Sequence, residues 1–312
     1  MLEVVFMIRA KAFVYILTML LLSLLALGAN FPTVYFEMTD PAGDDYGYGA
    51  FQYPTNIAFQ PYQGLFDMTR FKVWAEKPGE IYFDTSFGVI TNPWAAPEGF
   101  IHQNLRVFID TCPGGGLLNL PQPGAYLRFD PRHAWEICLK IVGWENSQLL
   151  LVEGKKLRMW PLKTEVLGDG LTIRATVPQS KIGNPSKDWS YYVFVGSYDG
   201  FGEDFFRKVK RKNSDWIIGG GLDQALEPQV MDLLAPVSGA ATQEKQLSSF
   251  NRKTSQLAQI VPVGGRGGVG AWLWPVAWAA GVLLFGGLVI MVVVKPKKVS
   301  WFWVAKNKSQ NH

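Results

Sequence analysis

Cysteine and histidine are scarce in this 312-residue chain, which has two of the first and three of the second. No Cys-x-x-Cys spacing occurs, so the usual thiolate and imidazole sets that close around structural zinc are missing. There is no Gly-x-Ser-x-Gly, no dinucleotide fingerprint and no phosphate loop; Gly219-Gly220-Gly221 lacks the following Lys and Ser/Thr. Charged residues make up only 18% of the chain, and 30 basic side chains nearly balance 26 acidic ones. The small basic excess gathers near the termini and at residues 207–212, which argues against nucleic acid as a partner. Long amphipathic helical periodicity is also lacking. These absences remove several enzyme classes and the helical folds.

In their place are 32 glycines, 19 prolines and a 14% share of aromatics, a composition suited to an exported β-rich fold. Phe71-Lys72-Val73-Trp74-Ala75-Glu76 reads as a strand. After Lys77-Pro78-Gly79-Glu80, Ile81, Phe83, Thr85 and Phe87 alternate with Tyr82, Asp84, Ser86 and Gly88, so the two runs predict a hairpin. Period-two runs recur at Leu105, Val107 and Ile109, at Ile137, Leu139 and Ile141, and at Leu171, Ile173, Ala175 and Val177. Residues 191–195 are apolar throughout, as in a strand covered on both faces. Many short strands with close turn signals predict an all-β sandwich of immunoglobulin-like, two-sheet architecture over residues 30–236. Trp74, Trp135, Trp144 and Trp189 lie in or beside these strands and are expected in the core.

Residues 39–54, TDPAGDDYGYGAFQYP, form a shaped loop before the first hairpin. Asp40, Asp44 and Asp45 stand at i, i+4 and i+5, a spacing that can turn several oxygens toward a calcium ion, though without the EF-hand pattern. The other reading is that they accept loop N–H bonds and fix the turn. This stretch joins Phe66-Asp67-Met68-Thr69-Arg70-Phe71, Asn92-Pro93-Trp94, Gly99-Phe100, Val107-Phe108-Ile109-Asp110-Thr111, Asp199-Gly200-Phe201-Gly202 and the block from Pro228 to Leu234. Together they resemble, over residues 36–236, the DOMON-like C-terminal module of glucodextranase, which is also appended to some surface-attached amylopullulanases. The resemblance implies a β-sandwich that binds or sits near carbohydrate and has no hydrolytic chemistry of its own.

The termini predict export. Arg9 and Lys11, an apolar run over residues 12–27 and Ala26-Leu27-Gly28-Ala29 read as a secretory signal over residues 1–29, with an uncleaved anchor as the alternative. Residues 271–294 carry no charge and include Trp272, Trp274 and Trp278, the pattern of a membrane span. Lys295, Lys297 and Lys298 follow, so the positive-inside bias assigns a cytoplasmic tail at residues 295–312 and places the body outside the cell membrane. Residues 237–270 are poor in aromatics and end in Gly264-Gly265-Arg266-Gly267-Gly268; they read as a flexible stalk. Export permits a Cys112–Cys138 disulfide, worth roughly 3 kcal/mol by loop closure, and two buried free thiols are the other reading.

Flat aromatic surface beside polar groups suits the apolar faces and hydroxyls of a pyranose. Trp94 in its proline-flanked loop, and Tyr198, Asp199 and Phe201 in a later glycine-rich loop, are the candidates. For Trp94, the alternative is a loop residue folded over the core. Three functional readings follow: a non-catalytic, membrane-anchored binder of α-glucan or cell-wall glycan; a surface-layer or assembly part that meets a protein partner; and a haem electron-transfer domain. The last draws on the DOMON resemblance and would take axial ligands from His102, His133, Met68, Met159 and Met231. Any hydrolase partner, on the first reading, is encoded elsewhere.

Overall fold

The structure is a computed structural model that describes residues 32–154 and 156–265, with Phe13 and residues 16–18. Apart from those last four residues, the expected signal segment, span and cytoplasmic tail lie outside the described residues. Among the described residues, no helix is long and apolar enough to cross a membrane.

Period-two alternation emerges as thirteen strands among the described residues. In chain order they are β1 (Thr33–Thr39), β2 (Met68–Ala75), β3 (Glu80–Phe87), β4 (Gln103–Asp110), β5 (Leu127–Phe129), β6 (Ile137–Ile141), β7 (Gln148–Glu153), β8 (Lys156–Pro161), β9 (Lys163–Val166), β10 (Thr172–Pro178), β11 (Ser190–Ser197), β12 (Asp232–Leu233) and β13 (Ala258–Ile260). Among described residues 32–265, helix is limited to α1 (Gln179–Ile182), α2 (Gln243–Leu247) and short 3-10 turns at Ile57–Phe59 and Glu203–Phe205. The predicted hairpin forms: β2 pairs antiparallel with β3, and Gly79 takes the positive φ of 84° that its turn requires.

Two sheets result. One has the order β1-β2-β3-β10-β9, and the other β12-β11-β4-β6-β7-β8, with antiparallel pairing in each. Their facing sides share one apolar core. Phe71, Val73, Phe83 and Ile173 come from the first sheet, and Leu105, Val107, Leu139 and Val193 from the second. The predicted inward positions of β4 and β6 are therefore correct, as are Ile173, Ala175 and Val177 of β10, whereas Leu171 lies before the strand and is 44% exposed.

The six-stranded sheet has a second apolar face. Phe108, Cys138, Leu150, Tyr192 and Phe194 point away from the first core and pack with Leu127, Phe129, Trp135, Leu247, Ala258 and Ile260. β4, β6 and β11 are consequently buried at every residue, which is why residues 191–195 lack polar alternation.

The covering layer corrects the stalk reading over residues 237–265. α2 and β13 lie within this segment, β13 runs parallel to β5, and Val263 pairs with Tyr191. Few residues carry the burial, but Leu247, Ala258, Ile260 and Val263 are all at 1% exposure or less. Large apolar side chains contribute about 1.5–3 kcal/mol each on full burial, and this helps offset the ordering of a largely polar segment.

Two other expectations change. Trp135 and Trp189 are buried as expected and Trp74 is partly so, but Trp144 is 41% exposed because it occupies a left-handed turn, φ 62°, after β6. The cysteines are free and differ in setting: Cys138 is buried on β6 in the second core, whereas Cys112 is exposed in the turn after β4. The disulfide is therefore not formed, and of the two thiols only Cys138 is buried.

Candidate functional site

At the end of β11 the chain makes a tight excursion over residues 198–206 before returning as Arg207. Gly202 permits it, because a Cβ there would lie 2.1 Å from Phe206 O. Asp204 and Phe205 both take left-handed conformations, φ 44° and 64°. Side chains from the outer face of the six-stranded sheet hold them there. Asp204 accepts from Lys140 Nζ at 2.8 Å and pairs with Arg106 Nη2 at 2.9 Å, while its carbonyl accepts from Arg106 Nη2 at 2.8 Å and Asn104 Nδ2 at 3.1 Å. Burial pushes both the Arg106 and the Lys140 pKa down, and Asp204 opposes the shift in each case.

A facing loop is fixed with equal economy. Asn92 donates Nδ2 to Ala96 O and accepts from Ala96 N on Oδ1, each at 2.8 Å, so one side chain clamps the turn that presents Trp94. Trp94, Phe59, Ile101, His102, Trp216 and Arg207 then line a pocket of about 470 Å³ with residues 198–201. The Trp94 and Trp216 rings are 5.9 Å apart at 37°, and both are exposed over two-fifths or more of their surface. Phe201 is fully exposed at the rim.

Arg207 forms the floor. Its Nε donates to Ser197 Oγ at 3.1 Å, Nη1 to Trp216 O at 2.8 Å and Nη2 to Tyr198 O at 2.7 Å; Asp199 Oδ2 is 3.6 Å away. Burial lowers its pKa, against the attraction of Asp199. His102 beside it is 2% exposed, and its Nε2 has no partner among the described residues. Burial, with Arg207 adding to it, pushes the His102 pKa down to about 4 against an opposing hydrogen bond to the Ala58 backbone. The ring is neutral at ordinary pH.

A second cluster joins distant segments by their carboxylates. Asp40, Asp44 and Asp232 each place an oxygen within 4.8 Å of the others. Asp40 Oδ2 and Asp44 Oδ1 are buried without a partner. Asp232 accepts from Met68 N at 2.6 Å and from Leu233 N at 2.7 Å. Burial first, then neighbouring acids, raise all three pKa values: Asp40 to about 8, Asp44 to about 6, and Asp232 well above the usual carboxylate range. A proton on Asp40 or Asp232 would let the two hydrogen-bond to each other, a contact that two bare carboxylates cannot make.

The family model for the C-terminal binding module, SLH-like, of glucodextranase matches residues 35–262. The chain belongs to this family. Among curated proteins, none matches it. The extent of the glucodextranase-module match is informative, because it reaches past residue 236 and takes in α2 and β13, the cover that sequence reasoning assigned to a stalk.

Within this glucodextranase-type module, the four carbohydrate candidates converge: Trp94, Tyr198, Asp199 and Phe201 all line the one pocket. Trp216, His102, Phe59 and Arg207 were missed as members of it. Trp216 follows the largely polar residues 207–215, and pairing of its segment with residues 52–56 places it in the pocket.

The calcium set is corrected in one member. Asp45 turns away, accepting from the Tyr53 hydroxyl and from Gly64 N at 3.1 Å, and Asp232 takes the third place. Its signal was visible only as a lone acid in an apolar block, Val230-Met231-Asp232-Leu233-Leu234. The haem candidates are dispersed. His133 Nδ1 bonds Asp110 Oδ2 at 2.8 Å, Met68 and Met231 pack in the first core, and Met159 is exposed on β8.

Proposed function

We propose that the chain is a non-catalytic carbohydrate-binding domain whose ligand, an α-glucan or a cell-surface glycan, enters the pocket between Trp94 and Trp216. The observation that carries this reading is the convergence of two exposed indole rings with polar groups at their base. Indole faces take the apolar sides of sugar rings, and Asp199 and the Tyr198 hydroxyl supply partners for sugar hydroxyls. The nitrogens of Arg207 are engaged by Ser197, Trp216 and Tyr198, so the pocket floor is rigid and offers little to an anionic ligand. Membrane anchoring outside the cell, with the tail inside, is part of the proposal and is supported by the uncharged run at residues 271–294 and the lysines after it.

Calorimetric titration of the full chain, in a non-glycosidic detergent, against α-glucans, β-glucans and cell-wall glycans tests this reading. Saturable heat with one glycan class, lost in Trp94→Ala without loss of fold, is the expected result. A folded protein that gives no heat across the panel overturns it and turns the search to a protein partner.

Calcium at Asp40, Asp44 and Asp232 is the second part of the proposal. The orphaned oxygens of Asp40 and Asp44 favour it, because hard carboxylate donors crowded out of water suit calcium's preference for oxygen. The ion would neutralise the acids and tie the loop at residues 40–45 to β12, acting on stability and not on chemistry. Asp45 is left out of this ligand set.

A further inference from the structure

We propose that a second groove, next to the indole pocket, is a further sugar subsite, so that the domain takes a linear neutral oligosaccharide spanning several rings. This rests on the carbohydrate reading above.

The two depressions share a ridge. Thr55 N donates to Ser214 O at 2.9 Å, Asn56 N to Asp215 O at 3.3 Å, and Thr55 Oγ1 to Asp215 Oδ1 at 2.9 Å. From this ridge, Phe59 and Trp216 reach into the indole pocket, while Thr55, Tyr62 and Asn213 line a groove of about 580 Å³. Tyr62 N bonds Phe59 O at 2.7 Å, so one turn of chain supplies a wall to each. A ligand leaving one depression over the ridge meets the other.

The lining chemistry specifies a neutral, hydroxyl-rich ligand. Tyr46 and Tyr62 are 43% and 40% exposed and offer ring faces. Gln52 and Gln63 are exposed, and among the described residues neither carboxamide has an intramolecular partner. A carboxamide both donates and accepts, as a sugar hydroxyl does. No Lys or Arg lines the groove, and its one acid, Asp45, already accepts from Tyr53 and Gly64. A phosphate or an acidic polymer would find no counter-charge there. Tyr62 is also held at φ 65°, a conformation its side chain disfavours, so the ring position is set by the ridge and not by local preference.

Length dependence is the test. The full chain, in a non-glycosidic detergent, is titrated calorimetrically with malto-, isomalto- and cello-oligosaccharides from disaccharide to octasaccharide. In the series that binds, affinity should climb by about tenfold or more with length and then level off, as a tethered second contact predicts. Tyr62→Ala should remove that gain and leave disaccharide binding intact; Gln63→Ala serves if the first variant fails to fold. Trp94→Ala should remove binding at all lengths. Equal affinity for short and long chains, or a length gain that survives Tyr62→Ala and Gln63→Ala, overturns the second subsite while the indole pocket stands. A folded wild type that binds no oligosaccharide overturns both.

Discussion

Arg207 holds Trp216 by both its backbone and its ring: Nη1 donates to the Trp216 carbonyl at 2.8 Å, and the guanidinium carbon lies 5.6 Å from the indole centroid. The same guanidinium is 5.2 Å from the Phe59 ring. A planar fork can satisfy three acceptors and still present a face to aromatic rings, which a lysine ammonium cannot do. Arg207→Lys should therefore cost roughly 2–4 kcal/mol, since buried acceptors lose their donors. Glycan affinity should fall with it, because Trp216 loses its support. Urea denaturation together with calorimetry checks both; wild-type values in the two assays would remove Arg207 as the organiser of the pocket.

His102 predicts acid sensitivity. Its folded pKa of about 4 lies below the ordinary 6.5, so the unfolded chain binds the proton more readily. Stability from this residue is fully present above about 6.5 and is lost as pH falls toward about 4, by up to ~3 kcal/mol. The acid carboxylates add their own slopes, so the informative quantity is the difference between wild type and His102→Gln across that window. Parallel curves would show that His102 is not the group responsible.

Calcium gives a prediction that separates the corrected ligand set from the one suggested by sequence. At about a hundredfold excess over Kd, a bound ion stabilises by ~2.7 kcal/mol. For a domain of this size that is a rise of roughly 5–10 °C in melting temperature. Asp232→Asn should abolish the response to calcium and chelator, while Asp45→Asn should keep it. The reverse pattern would restore the loop-only site, and insensitivity of the wild type would remove the metal.

The free cysteines should differ in reactivity. Cys112 is exposed, whereas burial pushes the Cys138 thiol up to about 12, so its thiolate is scarce as well as shielded. One thiol should react with a maleimide in the native protein and the second only after denaturation. Reducing agent should leave the melting temperature unchanged. Melting that shifts on reduction would point back to a pairing.

The sandwich was legible because its signals are local. Period-two runs such as Leu105-Val107-Ile109 need only a pleated strand to place them on one face. The cover over the second core was not, because its apolar anchors, Leu247, Ala258 and Ile260, are few and scattered among polar residues. Arg106 and Lys140 show a related effect: both alternate with core residues on their strands, yet both are buried under Asp204. In the pocket, Trp94, Tyr198, Asp199 and Phe201 were readable as loop aromatics with a polar neighbour. Trp216 and Arg207 were not: Trp216 is placed by pairing of its segment with residues 52–56, and Arg207 by the return of the chain onto Ser197 and Tyr198. Asp232 escaped for the same reason, being far in sequence from the loop it completes.

β11 connects the two ends that would carry mechanical load. Near its start, Tyr191 pairs with Val263, and Ser190 Oγ bonds Gly264 O at 3.4 Å. Beyond its last residue come Tyr198 and Asp199 of the indole pocket. Eight residues of strand separate the two, about 25 Å at strand rise. A ligand pulling at the pocket, against a chain restrained beyond residue 265, would draw along the strand axis. The bonds from β11 to β4 would then be strained together in shear instead of opening one after another like a zipper, the geometry that best resists force.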